Sequence, residues 1–173
     1  MNSKSIQVAI RDIPDFPQKG ILFKDVTPVL QDPALFKAAI DILAERHLNK
    51  GIKTVAAIDA RGFIFGAAVA YRLGAGFVPV RKKGKLPYKA IEASYSLEYG
   101  TATLELHIDA LKQGKDVLLV DDLLATGGTA MACAELIEKL GGCVVEMAFL
   151  VELAGLKGRQ KLSKYNVFSA ITY

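Results

Sequence analysis

Short, continuous apolar runs alternate along the chain with longer stretches in which apolar residues recur at helical spacing. Runs such as KTVAAI at 53–58 and VLLV at 117–120 are typical of strands that are buried on both faces. The predicted strands are residues 53–58, 76–80, 117–120, 143–151 and 167–172, and the predicted helices are residues 32–48, 64–73 and 129–140. This alternation predicts an α/β fold with a mainly parallel sheet flanked by helices.

The helix predicted at 32–48 has clear signals at both ends. Asp32 suits the N-cap, and Pro33 suits the first helical position because a helix start leaves that N–H unpaired in any case. An apolar stripe with helical spacing follows. Its members are Leu35, Phe36, Ala39, Ile40, Leu43 and Ala44. Gly51 then supplies a stop signal.

Residues 91–107 depart from the alternation of strand and helix. The segments IEASYSL and TATLELH could form two antiparallel strands around a turn at 98–100. A hairpin inserted into a parallel fold often serves as a lid over a binding site. We therefore expect a flexible hairpin at 91–107 within a single domain that spans residues 1–173.

Length and composition fit an ordinary globular domain, with 173 residues of which 51% are apolar and 23% charged. No apolar run reaches the roughly 20 residues of a membrane helix, and the N-terminal residues lack the apolar stretch of a secretory signal. Cys133 and Cys143 are too few for a disulfide framework and lack metal-ligand spacing. We expect a cytoplasmic protein with no membrane partner.

The net charge of +4 and the pI near 9.0 suit a polyanionic ligand, which is either nucleic acid or a small phosphorylated substrate. The densest basic cluster is RKKGK at 81–85, and no aromatic residue interrupts it. Nucleic-acid-binding faces combine basic residues with aromatic ones. The distribution of charge therefore favours a small phosphorylated substrate and no nucleic-acid partner.

The stretch VLLVDDLLATGGTA at 117–130 carries the strongest candidate chemistry. A buried strand ends in Asp121 and Asp122, and a short loop at 125–129 leads into a helix. Ligands of open parallel sheets bind at the carboxyl ends of the strands. Glycines let backbone N–H groups approach a phosphate, and the helix N-terminus adds the positive end of a dipole. Residues 125–129 are therefore a candidate phosphate-binding loop.

The adjacent carboxylates of Asp121 and Asp122 would repel a phosphate, but they can accept hydrogen bonds from sugar hydroxyls. With a phosphate loop directly downstream, the pattern describes a site for ribose 5-phosphate. Neither GxxxxGK[ST] nor GxGxxG occurs in the chain, which counts against a nucleoside triphosphatase or a dinucleotide enzyme. The alternative is an ordinary strand–turn–helix unit with surface acids and a glycine-rich turn.

Residues 117–130 resemble the phosphoribosyl pyrophosphate motif of the type I phosphoribosyltransferases, and other segments resemble the members that use adenine. Those segments are 15–30 (DFPQKGILFKDVTPVL), 59–66 (DARGFIFG), 81–87 (RKKGKLP), 93–100 (ASYSLEYG) and 151–159 (VELAGLKGR). The resemblance implies the type I phosphoribosyltransferase fold with an N-terminal hood at 1–35. It also implies transfer of phosphoribosyl from 5-phospho-α-D-ribose 1-diphosphate to adenine, giving AMP and diphosphate in purine salvage.

The resemblance assigns the sugar site residue by residue. Asp121 and Asp122 would bind the ribose 2′- and 3′-hydroxyls, and Arg61, in the loop after the 53–58 strand, would contact the pyrophosphate. The 5′-phosphate would be held by Ala125, Thr126, Gly127, Gly128 and Thr129. In the family the pyrophosphate loop carries a non-proline cis peptide. Ala60 stands where serine is usual, so the side-chain hydroxyl is lost and backbone contacts remain.

The basic cluster would add positive charge around the pyrophosphate through Arg81, Lys82 and Lys85; the alternative is a solvated basic turn. Some of these contacts come from the neighbouring subunit in the family, which implies a homodimer with residues 81–85 near the partner's site. The implied cofactor is Mg²⁺. It would be carried by the pyrophosphate, so no metal site built from the protein is expected.

The resemblance also implies a binding site for adenine. Phe23 would stack on one face of the purine and Leu153 would pack on the other. The backbone of Leu22 and Lys24 would read the edge of the base, where adenine and hypoxanthine present opposite donor and acceptor patterns. The alternative is that Phe23, Leu22 and Leu153 are core residues.

Glu98 and Tyr99 are the candidate catalytic residues of the hairpin. In the family the matching glutamate covers the reacting centre, where it could stabilise positive charge on the ribose ring or handle the purine proton. Tyr99 could help to close the hairpin. His47 and His107 are interpreted as surface or packing residues, and both cysteines as buried small hydrophobes.

Two other functions are compatible with this pattern. A regulator that binds phosphoribosyl pyrophosphate and acts on nucleic acid is one, although the chain has no appended helix-turn-helix pattern and keeps Glu98 and the hood motif. A transferase for another base, such as xanthine, is the other, because few changes in the hood would be needed to alter the base.

Overall fold

The computed structural model describes residues 3–96 and 101–173, apart from the side chain of Ser96. The strands are β1 (Arg11–Pro14), β2 (Leu22–Asp25), β3 (Thr54–Ile58), β4 (Gly76–Lys82), β5 (Ala90–Ser96), β6 (Thr101–His107), β7 (Asp116–Leu124), β8 (Cys143–Glu152) and β9 (Val167–Thr172). The helices are α1 (Ser3–Ala9), α2 (Thr27–Gln31), α3 (Pro33–Glu45), α4 (Arg61–Leu73), α5 (Gly128–Lys139) and α6 (Gly158–Lys161), with a 3₁₀ turn at Ala154–Leu156.

In the part of the chain that the structure describes, the main sheet has seven strands in the order β5-β6-β4-β3-β7-β8-β9. Strands β4, β3, β7, β8 and β9 are mutually parallel, whereas β5 and β6 form an antiparallel hairpin that joins the edge of β4. The predicted α/β fold with its antiparallel hairpin is therefore confirmed. The carboxyl ends of β3 and β7 lie side by side, which brings the segments that follow them together.

Two hydrophobic cores cover the two faces of this sheet. Along β7, Leu118 and Val120 belong to one core and Val117 and Leu119 to the other, as the alternation of side chains in a strand requires. Helices α3 and α4 pack on the first face, and α5 and the hairpin pack on the second. The sheet is thereby buried on both faces, and its carboxyl edge is left for a ligand.

The helix signals at Asp32 are confirmed, since its side chain accepts hydrogen bonds from the N–H groups of Ala34 and Leu35. Four predicted boundaries are wrong by two residues or more. Helix α3 ends at Glu45 instead of residue 48. Helix α4 begins at Arg61 instead of residue 64, β4 continues to Lys82 instead of residue 80, and β7 continues to Leu124 instead of residue 120. Ladder hydrogen bonds join backbone groups, so a strand can continue through polar residues that end an apolar run.

The first 31 residues contain elements that the hydrophobic pattern did not predict. Helices α1 and α2 are anchored by the fully buried side chains of Ile6 and Val29. Strands β1 and β2 form a separate antiparallel sheet in which Ile13 pairs with Phe23. These elements make up most of the segment expected to be the hood.

The cysteines and histidines differ in their surroundings. Cys133 is buried as predicted, whereas the prediction for Cys143 is wrong, because this first residue of β8 is exposed. His47 is a packing residue, and it lies 3.0 Å from Glu146 through its Nε2 atom. Within residues 3–96 and 101–173, no helix has the length and apolar character needed to cross a membrane.

Candidate active site

Asp121 and Asp122 lie near the end of β7, inside the strand and not after it as predicted. Asp122 is buried, with 6% of its surface exposed, and Asp121 is half-buried. The Asp122 N–H donates to Oδ1 of Asp121 over 2.9 Å, which fixes one carboxylate against the backbone. Gly62 packs on the same carboxylate so closely that a Cβ there would overlap Oδ1. The first turn of α4 therefore approaches the acid pair only because residue 62 is glycine.

Burial shifts the acid–base behaviour of both carboxyl groups. Burial and, after it, the negative charge of Asp122 raise the pKa of Asp121 well above its usual range. Burial also raises the pKa of Asp122, although the positive charge of Arg61 offsets part of this effect. The pair thus resists full ionisation, as two adjacent acids in a shielded site should.

Arg61 connects the acid pair to the hood. Its Nε atom is 2.6 Å from Oδ2 of Asp122, but this oxygen has no hydrogen bond of good geometry within the described residues. The Arg61 guanidinium carbon is also 5.1 Å from the centre of the Phe23 ring. A buried carboxylate oxygen without an aligned donor is uncommon and suits a position that a ligand hydroxyl can satisfy.

The loop ahead of Arg61 shows one feature that the family resemblance implied. The Asp59–Ala60 peptide is cis, as the resemblance implied. Ala60 is the N-cap residue of α4 and makes no side-chain capping bond, as an alanine must. Arg61 was predicted to lie in the loop after the strand, but it is the first residue of helix α4.

A small pocket of about 80 Å³ lies at the turn between β7 and α5. It is lined by Asp121, Leu123, Leu124, Ala125, Thr126, Gly127, Thr129, Ala130 and Phe149. Gly127 has φ +79° and precedes the twelve-residue helix α5, which starts at Gly128. The Thr126 and Thr129 hydroxyls have no hydrogen-bond partner in the part of the chain that the structure describes. The turn therefore offers a helix N-terminus and two free hydroxyls to an anion.

The predicted basic residues fall into two groups. Arg81 donates from Nε to Oδ2 of Asp59 over 3.2 Å and from Nη1 to the Lys85 carbonyl over 3.1 Å, so it lies against the Asp59–Ala60 loop of its own chain. Lys82 and Lys85 are exposed and form no ion pair within the described residues. Of the three, Arg81 has a side chain that contacts Asp59, whereas the side chains of Lys82 and Lys85 extend into solvent.

Phe23 lies half-buried in the hood, with its ring centre 5.1 Å from that of Phe16 in an edge-on arrangement. Leu22 is 49% exposed, so it is not a core residue. Among the strands of the described residues, β2 pairs with β1 alone, so its second backbone edge has no partner strand there. The hood thus presents an aromatic face beside an open strand edge.

Lys24 is held by residues that the sequence analysis did not identify. Its Nζ atom is 2.6 Å from Oδ1 of Asp12 and 3.8 Å from the centre of the Tyr173 ring. The Tyr173 hydroxyl donates to the Gln7 carbonyl over 3.2 Å. No local pattern links these residues, because they are far apart in sequence and meet only where the hood rests on β9.

Leu153 follows β8, and its N–H donates to the Leu124 carbonyl over 2.9 Å, next to the turn at residues 125–129. It is half-buried and packs against the first core, so it belongs to that core in part. Glu98 and Tyr99 lie outside the described residues. Among residues 3–96 and 101–173, no three side chains of the metal-ligating types lie close enough to hold an ion.

A profile of the phosphoribosyl transferase domain matches residues 25–172. The adenine phosphoribosyltransferase of Thermosipho melanesiensis is 59% identical over 164 residues, which cover 95% of this chain and 94% of that protein. The crystal structure of adenine phosphoribosyltransferase from Thermoanaerobacter pseudethanolicus has a TM-score of 0.95 at 53% identity, and the match covers 99% of this chain and 100% of that one.

The Saccharomyces cerevisiae enzyme of the same name, in complex with an imino-altritol bisphosphate and adenine, has a TM-score of 0.91 at 41% identity over 97% of both chains. The predicted resemblance is thereby confirmed in both sequence and backbone. Similarity of this extent over nearly the whole length establishes that the chain belongs to the adenine phosphoribosyltransferases of the phosphoribosyltransferase family.

Proposed function

We propose that this protein transfers the phosphoribosyl group of 5-phospho-α-D-ribose 1-diphosphate to adenine, giving AMP and diphosphate, at the site formed by β7, the β7–α5 turn and the hood. The observation that supports this most directly is the position of the buried acid pair, Asp121 and Asp122, immediately ahead of the anion-binding turn. The ribose of the substrate needs acceptors for the hydrogen bonds of its two hydroxyls, and the adjacent 5′-phosphate needs hydrogen-bond donors.

The sugar would bind along β7. Its 5′-phosphate would take the pocket at residues 125–129, where the N-terminus of α5 and the hydroxyls of Thr126 and Thr129 favour negative charge. Its 2′- and 3′-hydroxyls would donate to Asp121 and Asp122, including the Oδ2 atom that lacks an aligned donor.

Adenine would lie between Phe23 and Leu153. Residues two apart in a strand direct their backbone groups to the same edge, so Leu22 and Lys24 can present a donor and an acceptor together on the free edge of β2. The ion pair of Lys24 with Asp12 holds this residue's side chain away from the edge. A base with the reversed donor pattern would leave buried groups unpaired and bind less well.

In the reaction, N9 of adenine forms a bond to C1′ as the bond from C1′ to the diphosphate oxygen breaks, and adenine loses its N9 proton. The transition state should resemble an oxocarbenium ion. Arg61 and Arg81, with Lys82 and Lys85, would balance the charge of the departing diphosphate. Glu98 would either stabilise the ribose charge or take the proton, and Tyr99 would help the 91–107 hairpin to close over the site.

Mg²⁺ is the proposed cofactor, and it would neutralise charge on the diphosphate. The donor set fits a metal carried by the substrate, because Asp122 is paired with Arg61 and Asp121 accepts a backbone N–H, so neither carboxylate belongs to a cage of metal ligands. Backbone groups at Ala60 would contact the pyrophosphate without the hydroxyl that a serine would add.

We also propose that residues 1–173 act as one domain, with a hood at 1–35, in a homodimer in the cytoplasm. Two free cysteines suit a reducing compartment. The exposed, unpaired state of Lys82 and Lys85 suits residues that meet a ligand of the neighbouring subunit.

The test is diphosphate release from phosphoribosyl pyrophosphate and Mg²⁺ with adenine, hypoxanthine, guanine, xanthine or uracil supplied separately. We expect release, with AMP, for adenine only. Release with a different base would contradict the proposed reading of the hood. Binding of the sugar without release for any base, together with salt-sensitive binding of DNA or RNA, would favour a regulator instead.

The Asp121→Asn and Asp122→Asn double variant tests the site. Two hydrogen bonds to charged acceptors would be weakened, so we expect a loss of about a hundredfold in kcat/KM for the sugar substrate. Circular dichroism would check that the variant is folded. Turnover near that of the unmodified protein would show that the acid pair does not bind the ribose.

A further inference from the structure

Gly158, the first residue of α6, lies in backbone contact with the phosphate loop. A Cβ at this position would overlap the carbonyl oxygen of Ala125 and would lie 3.0 Å from the Gly127 nitrogen. In the other direction, a Cβ at Gly127 would lie 2.8 Å from the Gly158 carbonyl oxygen. Two chain segments more than twenty-five residues apart therefore meet backbone to backbone at a place where neither has room for a side chain.

This contact reaches the loop from outside the pocket. Neither Gly158 nor any other residue of the 154–162 segment is among the residues that line it. The atoms that Gly158 touches belong to Ala125 and Gly127, two of the five residues proposed to hold the 5′-phosphate. Gly158 is thus placed to set the path of the loop without touching the ligand.

The segment around Gly158 is itself held firmly. Arg159 donates from Nε to Oε1 of the buried Glu152 over 3.0 Å and from Nη1 to the Val167 carbonyl over 2.8 Å, so it joins α6 to β8 and β9. Leu162, at the other end of α6, is fully buried in the second core. Because α6 is held in this way, a side chain added at Gly158 would press directly on the Ala125 and Gly127 backbone.

We propose that Gly158 is a positioning residue, which keeps the Ala125–Thr129 backbone in the shape that binds the 5′-phosphate, and that Arg159 locks it in place. This inference rests on the proposed function of the same loop. The 5′-phosphate is remote from the reacting C1′ atom, so its contacts contribute to the ground state and the transition state alike. A distorted loop should raise KM for the sugar substrate and leave kcat nearly unchanged.

The test compares Gly158→Ala with Gly155→Ala. Gly155 lies three residues earlier in the same segment, and a Cβ there would meet no atom within 4 Å. Calorimetric titration with ribose 5-phosphate gives a dissociation constant that does not depend on turnover, and steady-state rates give KM and kcat for each substrate. The thermal midpoint of each variant would be measured in parallel.

For Gly158→Ala we expect the dissociation constant for ribose 5-phosphate and the KM for phosphoribosyl pyrophosphate to rise on the order of tenfold. The KM for adenine and kcat at saturating sugar substrate should stay close to those of Gly155→Ala. Lowered stability alone would reduce the amount of active protein, which lowers the apparent kcat and leaves KM unchanged.

Unchanged binding of ribose 5-phosphate by folded Gly158→Ala would overturn the inference. If that variant does not fold, Arg159→Gln decides, because it removes the lock but adds no atom at the loop: weaker binding supports the inference and unchanged binding overturns it. If Gly158→Ala weakens the binding of ribose 5-phosphate but the wild-type protein makes no AMP, the proposed reaction is refuted while the inference stands.

Discussion

At the scale of single residues, the ionised carboxylate of Asp121 destabilises the folded chain, although its position suits the binding of a ligand hydroxyl. Burial and the adjacent Asp122 both oppose its ionisation and raise its pKa. Between the usual aspartate pKa of 3.8 and the raised value, the folded protein binds more protons than the unfolded chain. Stability should therefore fall as pH rises through that window, and the cost is complete above it.

Asp121→Asn removes this charge while keeping an oxygen that can accept the Asp122 N–H. We expect the thermal midpoint at neutral pH to rise by about 3 °C, with most activity lost. The gain should vanish below pH 3.8, where the carboxyl group is protonated in both states.

Asp116→Asn, at the exposed start of the same strand, is the matched control and should change neither property. A lower midpoint for Asp121→Asn at neutral pH would mean that the ionised carboxylate stabilises the fold.

At the scale of elements, the end of α3 is attached to β8 by an ionic cluster. Arg46 donates to both carboxylate oxygens of Glu146 over 3.1 and 3.0 Å, and the buried His47 ring contacts the same group. Burial raises the pKa of Glu146, but the bonds from Arg46 and His47 outweigh it, and the pKa lies below its usual range. The ionised form of Glu146 therefore stabilises the contact between helix and strand.

Glu146→Gln should lower the free energy of unfolding by about 1.5 kcal/mol, because it weakens the hydrogen bonds that Arg46 and His47 make to a charged acceptor. Denaturant unfolding at neutral pH measures this. The difference should shrink as pH falls through the lowered pKa of Glu146, since protonation removes the same charge.

Glu138→Gln is the control for a surface contact, since Glu138 meets Lys164 and the Tyr165 hydroxyl with its side chain 42% exposed. We expect that substitution to cost less than about 1 kcal/mol. Equal costs for the two substitutions would show that the Glu146 cluster contributes no more than a surface contact.

At the scale of the whole molecule, the proposed use of Lys82 and Lys85 by a neighbouring subunit has a direct test. Each of two variants, Asp121→Asn with Asp122→Asn and Lys82→Ala with Lys85→Ala, should lose about a hundredfold in activity. Co-expressed with different tags, they should form mixed dimers that contain one intact site of two. Since random pairing makes roughly half of the dimers mixed, the preparation should regain roughly a quarter of the normal activity.

Sedimentation should show a two-chain particle for every combination. If the mixed preparation is as inactive as each parent, the two lysines act within their own chain or the subunits do not share sites. Arg81 is left unchanged in this design because it already contacts Asp59 of its own chain.

The local sequence determined much of this protein. Apolar runs and helical stripes predicted all five parallel strands and helices α3, α4 and α5, because burial on a sheet or against it imposes a period that a short window can show. The motif at 117–130 predicted the acid pair and the glycine-rich turn into α5, since both lie in one continuous segment.

The tertiary structure decided the features that depend on distant segments. The Arg61–Asp122 contact joins α4 to β7, the Lys24–Tyr173 contact joins the hood to the residue after β9, and Gly158 meets Gly127 at the turn between β7 and α5. The hood strands were missed because β1 and β2 have only four residues each, too few for a period to emerge. Residue spacing specifies which face of its own element a side chain occupies, but the partner on that face is chosen by how the elements pack.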